Sequence, residues 1–140
     1  MTIAPVQGKE AKLAVGGSYD EVLGTRNANP DQNWNSEDIM HFGDDNPSTM
    51  LNYKQWSIPV TATLDREAAS NPGQKACYDS FDAGTSLVFK LYPDRDVTTS
   101  YYSGTCVVTD WKETQDAQKI NVVSFTLKPY LGSALTWNHA

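Results

Sequence analysis

The chain has 140 residues, of which 39% are hydrophobic and 20% charged, and a formal net charge of −6. This length predicts a single domain over residues 1–140, and the composition is globular rather than that of a disordered chain. Because phosphate binding depends on clustered Lys and Arg, the acidic balance argues against a protein that grips nucleic acid. Residues 1–15 lack the apolar run of a secretory signal, and no stretch is apolar enough to cross a bilayer, so the sequence predicts a cytosolic product without a membrane partner.

Two short predicted strands, Ala11–Val15 and Tyr19–Leu23, lead into a long acidic segment. No Lys or Arg occurs between Arg26 and Lys54, so most of the net charge lies there. Turn-forming Asn-Pro pairs predict a loop over about residues 25–53, and loops of this length are generally functional or disordered. Its apolar side chains indicate that it orders against a neighbouring subunit. The candidate contact residues are Trp34, Asp38, Ile39, Met40, Phe42, Asp44, Asp45, Met50 and Leu51.

The clearest strand signal runs from Lys54 to Asp65, where apolar and polar side chains alternate strictly. The apolar face, predicted to be core, carries Trp56, Ile58, Val60 and Leu64. The opposite face is polar and neutral and carries Gln55, Ser57, Thr61 and Thr63. Pro59 also lies on the polar face and has no N–H, which predicts that the strand is at a sheet edge or bulged there.

One helix is predicted after this strand. Asn71 is a suitable N-cap, Pro72 suits the first helical position, and Gly84 suits the residue that follows the helix. Cys77 and Phe81 have helical spacing and are predicted to pack against a sheet. The residues expected to face solvent are Gln74, Lys75, Asp79 and Asp82.

Three further strands are predicted beyond the helix. Ser86–Tyr92 is ended by Pro93, and the β-branched and aromatic runs Tyr101–Trp111 and Lys119–Lys128 are predicted to pair as an antiparallel hairpin. The expected fold class is therefore mainly β, a sandwich or half-barrel of antiparallel strands packed by one α-helix.

No constellation of residues typical of catalysis is recognisable, so the sequence predicts neither an enzyme nor a cofactor. Neither a glycine-rich phosphate loop nor a Ser or Cys nucleophile with a nearby His occurs, and His41 and His139 are expected to be exposed polar residues. Cys77 and Cys106 are expected to be buried thiols. Gly43–Asn46 has oxygen ligands that suit calcium, but the rest of a calcium-binding loop is missing, which favours a solvated turn.

Several phrases spread over nearly the whole chain resemble the major tail tube proteins of siphophages. They are GKEAKLAVGGSYDEV, WSIPVTATLDREA, NPGQKACYDSFDAG, YYSGTCVVTDWKET and KINVVSFTLKP, in that order. The family phrase of Tyr, Gly, Val and Thr before the final strand corresponds here to Tyr102, Gly104, Val108 and Thr109. None of these phrases is catalytic, and their shared order carries the resemblance.

The resemblance implies a structural subunit of the virion tail, made in the host cytoplasm. Six copies are expected to form a ring, rings to stack head to tail, and the lumen to carry double-stranded DNA. The implied partners are further copies of the chain, the tape measure protein inside the tube, and tail terminator and tail tip or baseplate proteins at its ends. Residues 27–53 correspond to the loop that bridges rings, and the polar face of Gln55, Ser57, Thr61 and Thr63 is the candidate lumen face.

Two other functions remain open from the residues alone. Trp34, and Trp137 on a C-terminal arm at about residues 130–140, lie outside core periodicity and suit the anchoring of a partner surface. Exposed aromatic side chains would also suit a carbohydrate-binding or adhesive β-sandwich. The inner tube of a contractile injection device uses a similar ring architecture and is a further alternative.

Overall fold

The structure, a computed structural model, describes residues 11–139. Its elements are β1 (Lys12–Val15), β2 (Asp20–Glu21), β3 (Thr25–Ala28), β4 (Asp31–Ile39), β5 (Ser48–Thr63), α1 (Pro72–Ala83), β6 (Leu87–Tyr92), β7 (Tyr101–Thr114), β8 (Val122–Pro129) and β9 (Thr136–Asn138). The antiparallel sheet has the order β2-β1-β6-β7-β8-β5-β3, with β4 added to β5 and β9 added to β7. The predicted fold class is confirmed, and residues 1–10 and 140 of the predicted domain lie outside the described residues.

The core lies on one face of this sheet, with α1 packed over it. Burial alternates along β6 and β8 because successive strand side chains point to opposite faces. Phe89 and Phe125 are almost completely buried, and the ring centroid of Phe89 lies 5.6 Å from that of Trp56. Of the predicted core positions, Trp56, Ile58, Val60 and Cys77 lie in the buried cluster. Leu64 is half-buried against the same cluster.

Helix α1 begins and ends where the sequence predicts. The Asn71 Oδ1 accepts a hydrogen bond from the Gln74 backbone N–H at 3.3 Å, and Pro72 is the first helical residue. Gly84 follows the last turn with φ 69°, a left-handed conformation that favours glycine. Asn71 also joins the helix to the β2–β3 connection, since its Nδ2 donates to the Leu23 carbonyl at 2.8 Å and its Oδ1 accepts from the Leu23 N–H at 3.0 Å.

Two side chains of α1 lie opposite to their predicted positions. Gln74 is fully buried, because its Oε1 accepts from the Asp65 N–H at 2.7 Å and its Nε2 donates to the Thr63 carbonyl at 2.9 Å. Phe81 is 38% exposed, and its ring stacks on that of Trp111 at the margin of the core. A polar side chain such as Gln is normally expected on the outer face of a helix. Here the backbone groups at the end of β5 are hydrogen-bonded by the Gln74 amide, so the side chain is buried instead.

The segment predicted as a loop over residues 25–53 is mostly β-structure, so that prediction is wrong. β4 pairs with β5 from Asp31 opposite Ser57 to Ile39 opposite Ser48, and only residues 40–47 form a connecting turn. Asn and Asp are depleted in strands, which hides β4 from local sequence patterns. The ladder offered by β5 overrides that local preference.

Pro59 lies neither at a sheet edge nor in a bulge between β5 and β8, so this prediction is also wrong. On one side Pro59 is opposite Thr126 of β8, and on the other the partner of β5 changes from β3 to β4 at Asn29-Pro30. The Asn29 N–H donates to the Pro59 carbonyl at 3.3 Å. In an antiparallel strand the backbone N and O of one residue point to the same side. The Pro59 nitrogen therefore faces the gap between β3 and β4, where no ladder hydrogen bond needs its missing N–H.

Cys77 and Cys106 are both buried and form no disulfide. The Cys106 Sγ donates a hydrogen bond to the Leu87 carbonyl at 3.2 Å. Burial raises the pKa of the Cys106 thiol to about 12, and burial together with the nearby Cys106 also raises the pKa of Cys77. The two thiols therefore behave as small apolar core groups, as predicted.

Candidate functional site

Strand β4 and the first part of β5 form a hairpin that extends beyond the rest of the sheet. Ser48–Ser57 pairs only with β4, since β8 joins β5 from Ile58 onward. Within residues 11–139 the outer edge of β4 has no strand partner either. The hairpin therefore presents open rows of backbone N–H and C=O groups on both sides, and such edges are templates for pairing with another chain.

Exposed apolar side chains lie on both faces of this hairpin. Since Trp34 and Ser36 share a face and Leu51 is opposite Ser36, Trp34 and Leu51 lie on one side. By the same register Met50 and Tyr53 lie on the other. These four side chains are between 45% and 57% exposed. A hairpin that only met water would not need apolar groups on both faces, so both faces are suited to be covered by a partner.

The turn at residues 40–47 holds the tip of the hairpin in a defined shape. The His41 N–H donates to the Asp44 Oδ2 at 2.8 Å, and the Asp44 N–H donates to the His41 carbonyl at 3.1 Å. Gly43 has φ 89°, a conformation that other residues rarely adopt. This turn leaves the Phe42 side chain completely exposed, at 109% of its reference area. The other exposed tip residues named by the sequence are Met40, Asp44 and Asp45.

The remaining predicted contact residues of the hairpin have modest structural roles. The Asp38 Oδ1 accepts a hydrogen bond from the Thr49 hydroxyl at 3.1 Å across the ladder, and Ile39 is half-buried. In the part of the chain that the structure describes, no three His, Cys, Asp or Glu side chains gather into a metal-binding group. None of the helices described has the length and apolar character to span a membrane.

The polar side chains of β5 belong to a continuous face on the side of the sheet opposite the core. They are the predicted set Gln55, Ser57, Thr61 and Thr63. Gln55 is exposed and the other three are half-buried. Thr61 is opposite Ser124 of β8, and on the next strand Thr109 is opposite Thr126. Hydroxyl groups of three adjacent strands therefore form one surface.

This face is not neutral beyond β5. Its strands also carry Lys12, Lys90, Lys112 and Lys128. The Lys90 Nζ lies 4.3 Å from the ring centroid of Tyr19, a cation–π contact. The carboxylates near the face are Glu21, which forms an ion pair with Arg95 at 3.1 Å, Asp110, and Asp31 opposite Ser57. The sheet face is thus basic, whereas the negative charge of the chain concentrates on the hairpin.

The predicted C-terminal arm over residues 130–140 is partly built into the sheet. Thr136–Asn138 forms β9, in which Trp137 is opposite Tyr102 with ring centroids 4.7 Å apart. Through residue 139 the segment is therefore not a free extension. Trp137 is still 44% exposed, which leaves part of its ring available to a partner.

Comparison with known proteins finds likeness in structure rather than in sequence. No protein-family model and no curated protein sequence matches the chain. The tail of an empty gene transfer agent particle matches with a TM-score of 0.76 at 12% identity, over 94% of this chain and 99% of its own. The SPP1 tail tube matches with a TM-score of 0.74 at 14% identity, over 97% of this chain and 81% of its own.

The chain has the tail tube fold. Because the match to the SPP1 tail tube covers 97% of this chain, too few residues are left over for the hairpin to be an addition to the tail tube fold. A chain of the PVC sheath-tube complex, from an extracellular contractile injection system, also matches, with a TM-score of 0.62 at 12% identity over 95% of this chain and 92% of its own. The tail tube fold therefore occurs both in a phage tail and in a contractile injection system.

Proposed function

We propose that this protein is a structural subunit of a bacteriophage tail tube, whose copies close into rings and stack into a conduit. The observation that carries the proposal is the hairpin, which has two open edges and exposed apolar side chains on both faces. A subunit that worked alone would expose these groups to water without need. The tail tube fold of the chain supports the same role. The protein acts by assembly and not by catalysis.

Ring closure is proposed to pair the sheet edges of neighbouring copies. β2 and β3 end the sheet order, and each leaves one side without a strand partner among residues 11–139. A head-to-tail contact between unlike surfaces closes into a ring when its rotation divides a full turn. The gene transfer agent tail with the same fold has C6 symmetry, which supports six copies per ring here.

The hydroxyl-rich face of the sheet is proposed to line the channel. Gln55, Ser57, Thr61 and Thr63 would then face double-stranded DNA and, before it, the tape measure protein. The lysines on the same face attract phosphate without reading sequence, and such contacts weaken as salt rises. Apart from Asp31, the carboxylates of the hairpin lie toward its tip, which keeps most of the repulsive charge of the chain away from the DNA path.

Further partners are proposed at the two ends of the tube. A stack of identical rings leaves one unsatisfied ring surface at each end, which tail terminator and tail tip or baseplate proteins would cover. The protein is accordingly placed in the virion tail after synthesis in the host cytoplasm. The inner tube of a contractile device is the second candidate, supported by the likeness to a chain of the sheath-tube complex of a contractile injection system.

Shortening the hairpin tests the proposed function. Since Ser36 is opposite Leu51, replacing residues 37–50 by Asn-Gly would close a two-residue turn without changing the register below it. The wild-type protein is expected to form rings and tubes in negative-stain electron micrographs, and the shortened variant to remain a folded subunit that cannot elongate. Binding to sheath subunits would mark the contractile alternative. A wild-type protein that stays monomeric at every concentration and binds sugars would refute the proposal.

A further inference from the structure

A cleft of about 930 Å³ opens beside the root of the hairpin. One wall is formed by residues 53–57 of β5, and the other by the turn that follows β8, including Ser133 and Leu135. The Trp56 Nε1–H donates to the Ser133 carbonyl at 2.8 Å and holds the two walls together. A volume of roughly 300–1,000 Å³ is typical of pockets that take a small ligand. The cleft is therefore large enough for an aromatic side chain and its flanking turn.

The cleft carries positive charge at its rim. Lys54 and Lys128 line it together with one carboxylate, that of Asp31. Both lysine side chains are exposed, and neither forms an ion pair with another residue of the described chain. The occupant expected from this lining has an apolar anchor and at least one carboxylate beside it.

The tip of the hairpin has these properties. Phe42 is completely exposed, and Asp44 and Asp45 follow it within the same turn. The hydrogen bonds between His41 and Asp44 hold the turn before any partner binds, so little conformational freedom is lost on docking. Asp45 is exposed and is free to meet a lysine.

The tip of one copy lies far from its own cleft. The ladder is continuous from Asp31–Ser57 at the root to Ile39–Ser48 at the far end, with one bulge beside Asn35. At about 3.3 Å per residue the far end is on the order of 30 Å away from the root. Because a paired ladder does not fold back on itself, the tip reaches this cleft only on a second copy.

We propose that the hairpin tip of one copy docks in the hairpin-root cleft of a copy in the next ring, with Phe42 in the cleft and Asp45 beside Lys128. This rests on the proposed function and specifies the contact that stacks the rings. The tip and the cleft are different surfaces separated along the hairpin, so the contact is heterologous and repeats without limit along an axis. It also moves Gln55, Ser57 and Lys128 to the boundary between rings and leaves Thr61 and Thr63 facing the channel.

Phe42→Ala tests the apolar anchor. Tube formation by this variant is expected to need a more than tenfold higher protein concentration than wild type, as for a central interface anchor. Ile120→Ala is the matched control, because Ile120 is 71% exposed but lies outside the tip and the cleft, and it is expected to elongate normally. Phe42 has no packing to lose, so both variants should keep the wild-type thermal unfolding curve. Normal tubes from Phe42→Ala would overturn the inference while leaving the proposed function intact.

A charge exchange tests the pairing. Asp45→Lys and Lys128→Glu are each expected to reduce elongation, and the double variant to recover most of it. A double variant that elongates no better than either single variant would show that the tip docks on another surface and would overturn the pairing.

A photo-crosslinking residue at position 42 of assembled wild-type tubes gives an independent readout. Adducts within residues 128–135 or 53–57 support the contact, and adducts confined to other regions, including residues 1–10, refute it. If the wild-type protein forms no tubes at all, the proposed function is refuted, and the docking contact that rests on it is refuted with it.

Discussion

Replacing the buried Gln74 by Ala is expected to lower the free energy of unfolding by about 3 kcal/mol. The side chain makes two hydrogen bonds to backbone groups at the end of β5, at 2.7 Å to the Asp65 N–H and 2.9 Å to the Thr63 carbonyl. Each bond contributes roughly 0.5–1.5 kcal/mol, and a buried group left without a partner costs about 1–3 kcal/mol. Since both backbone groups are only partly buried, the lower part of each range applies, and the remaining loss comes from the truncated side chain.

Urea unfolding monitored by circular dichroism measures this change. Gln74→Met keeps the volume but not the hydrogen bonds, and is expected to lose about 2 kcal/mol. Lys75→Ala is the control, because its ion pair with Asp79 is solvent-exposed and contributes less than about 0.5 kcal/mol. A Gln74→Ala loss smaller than about 1 kcal/mol would show that the amide does not support the end of β5, and would refute the reasoning.

Two further outcomes are expected from the helix and the core. A Cβ on Gly73 would clash with the Glu21 carbonyl oxygen, so Gly73→Ala should shift the helix and lower the free energy of unfolding by at least about 2 kcal/mol. Gly17→Ala, with open space around it, should change this free energy little. A thiol stays protonated at any pH well below its pKa, so about one Cys106 in 10⁴ is a thiolate at pH 8. Because the thiolate is the reactive form, native Cys77 and Cys106 should resist iodoacetamide until the protein unfolds. Native labelling as fast as that of a free thiol would contradict the burial.

Local sequence patterns were sufficient to predict those elements whose signals lie within a few consecutive residues. The caps Asn71 and Gly84 delimit α1 because cap preferences depend on backbone groups a few residues away. The alternation of Trp56, Ile58 and Val60 predicts the core face of β5 because strand side chains point alternately to opposite sides.

The hairpin was only half predictable. Its exposed apolar residues and its acidity mark residues 25–53 as a contact segment, but Asn33 and Asn35 belong to a residue type that is poor in strands. Gln32, Trp34 and Ser36 alternate with these asparagines, and this alternation was the available signal for a strand. The segment forms a strand only because β5 pairs with it. Tyr53 was missed as a contact residue because its exposure depends on β8 joining β5 only from Ile58 onward, which no local pattern shows.

The sequence by itself determined the helix limits, the inward face of β5 from residue 56 onward and the segregation of negative charge into residues 31–45, because each of these depends on neighbours along the chain. Only the tertiary structure decided that Gln74 is buried, that the sheet face is basic, and that Ser133 closes a cleft over Trp56. These features join residues far apart in sequence, and their energies depend on which partner the fold brings within hydrogen-bonding or contact distance.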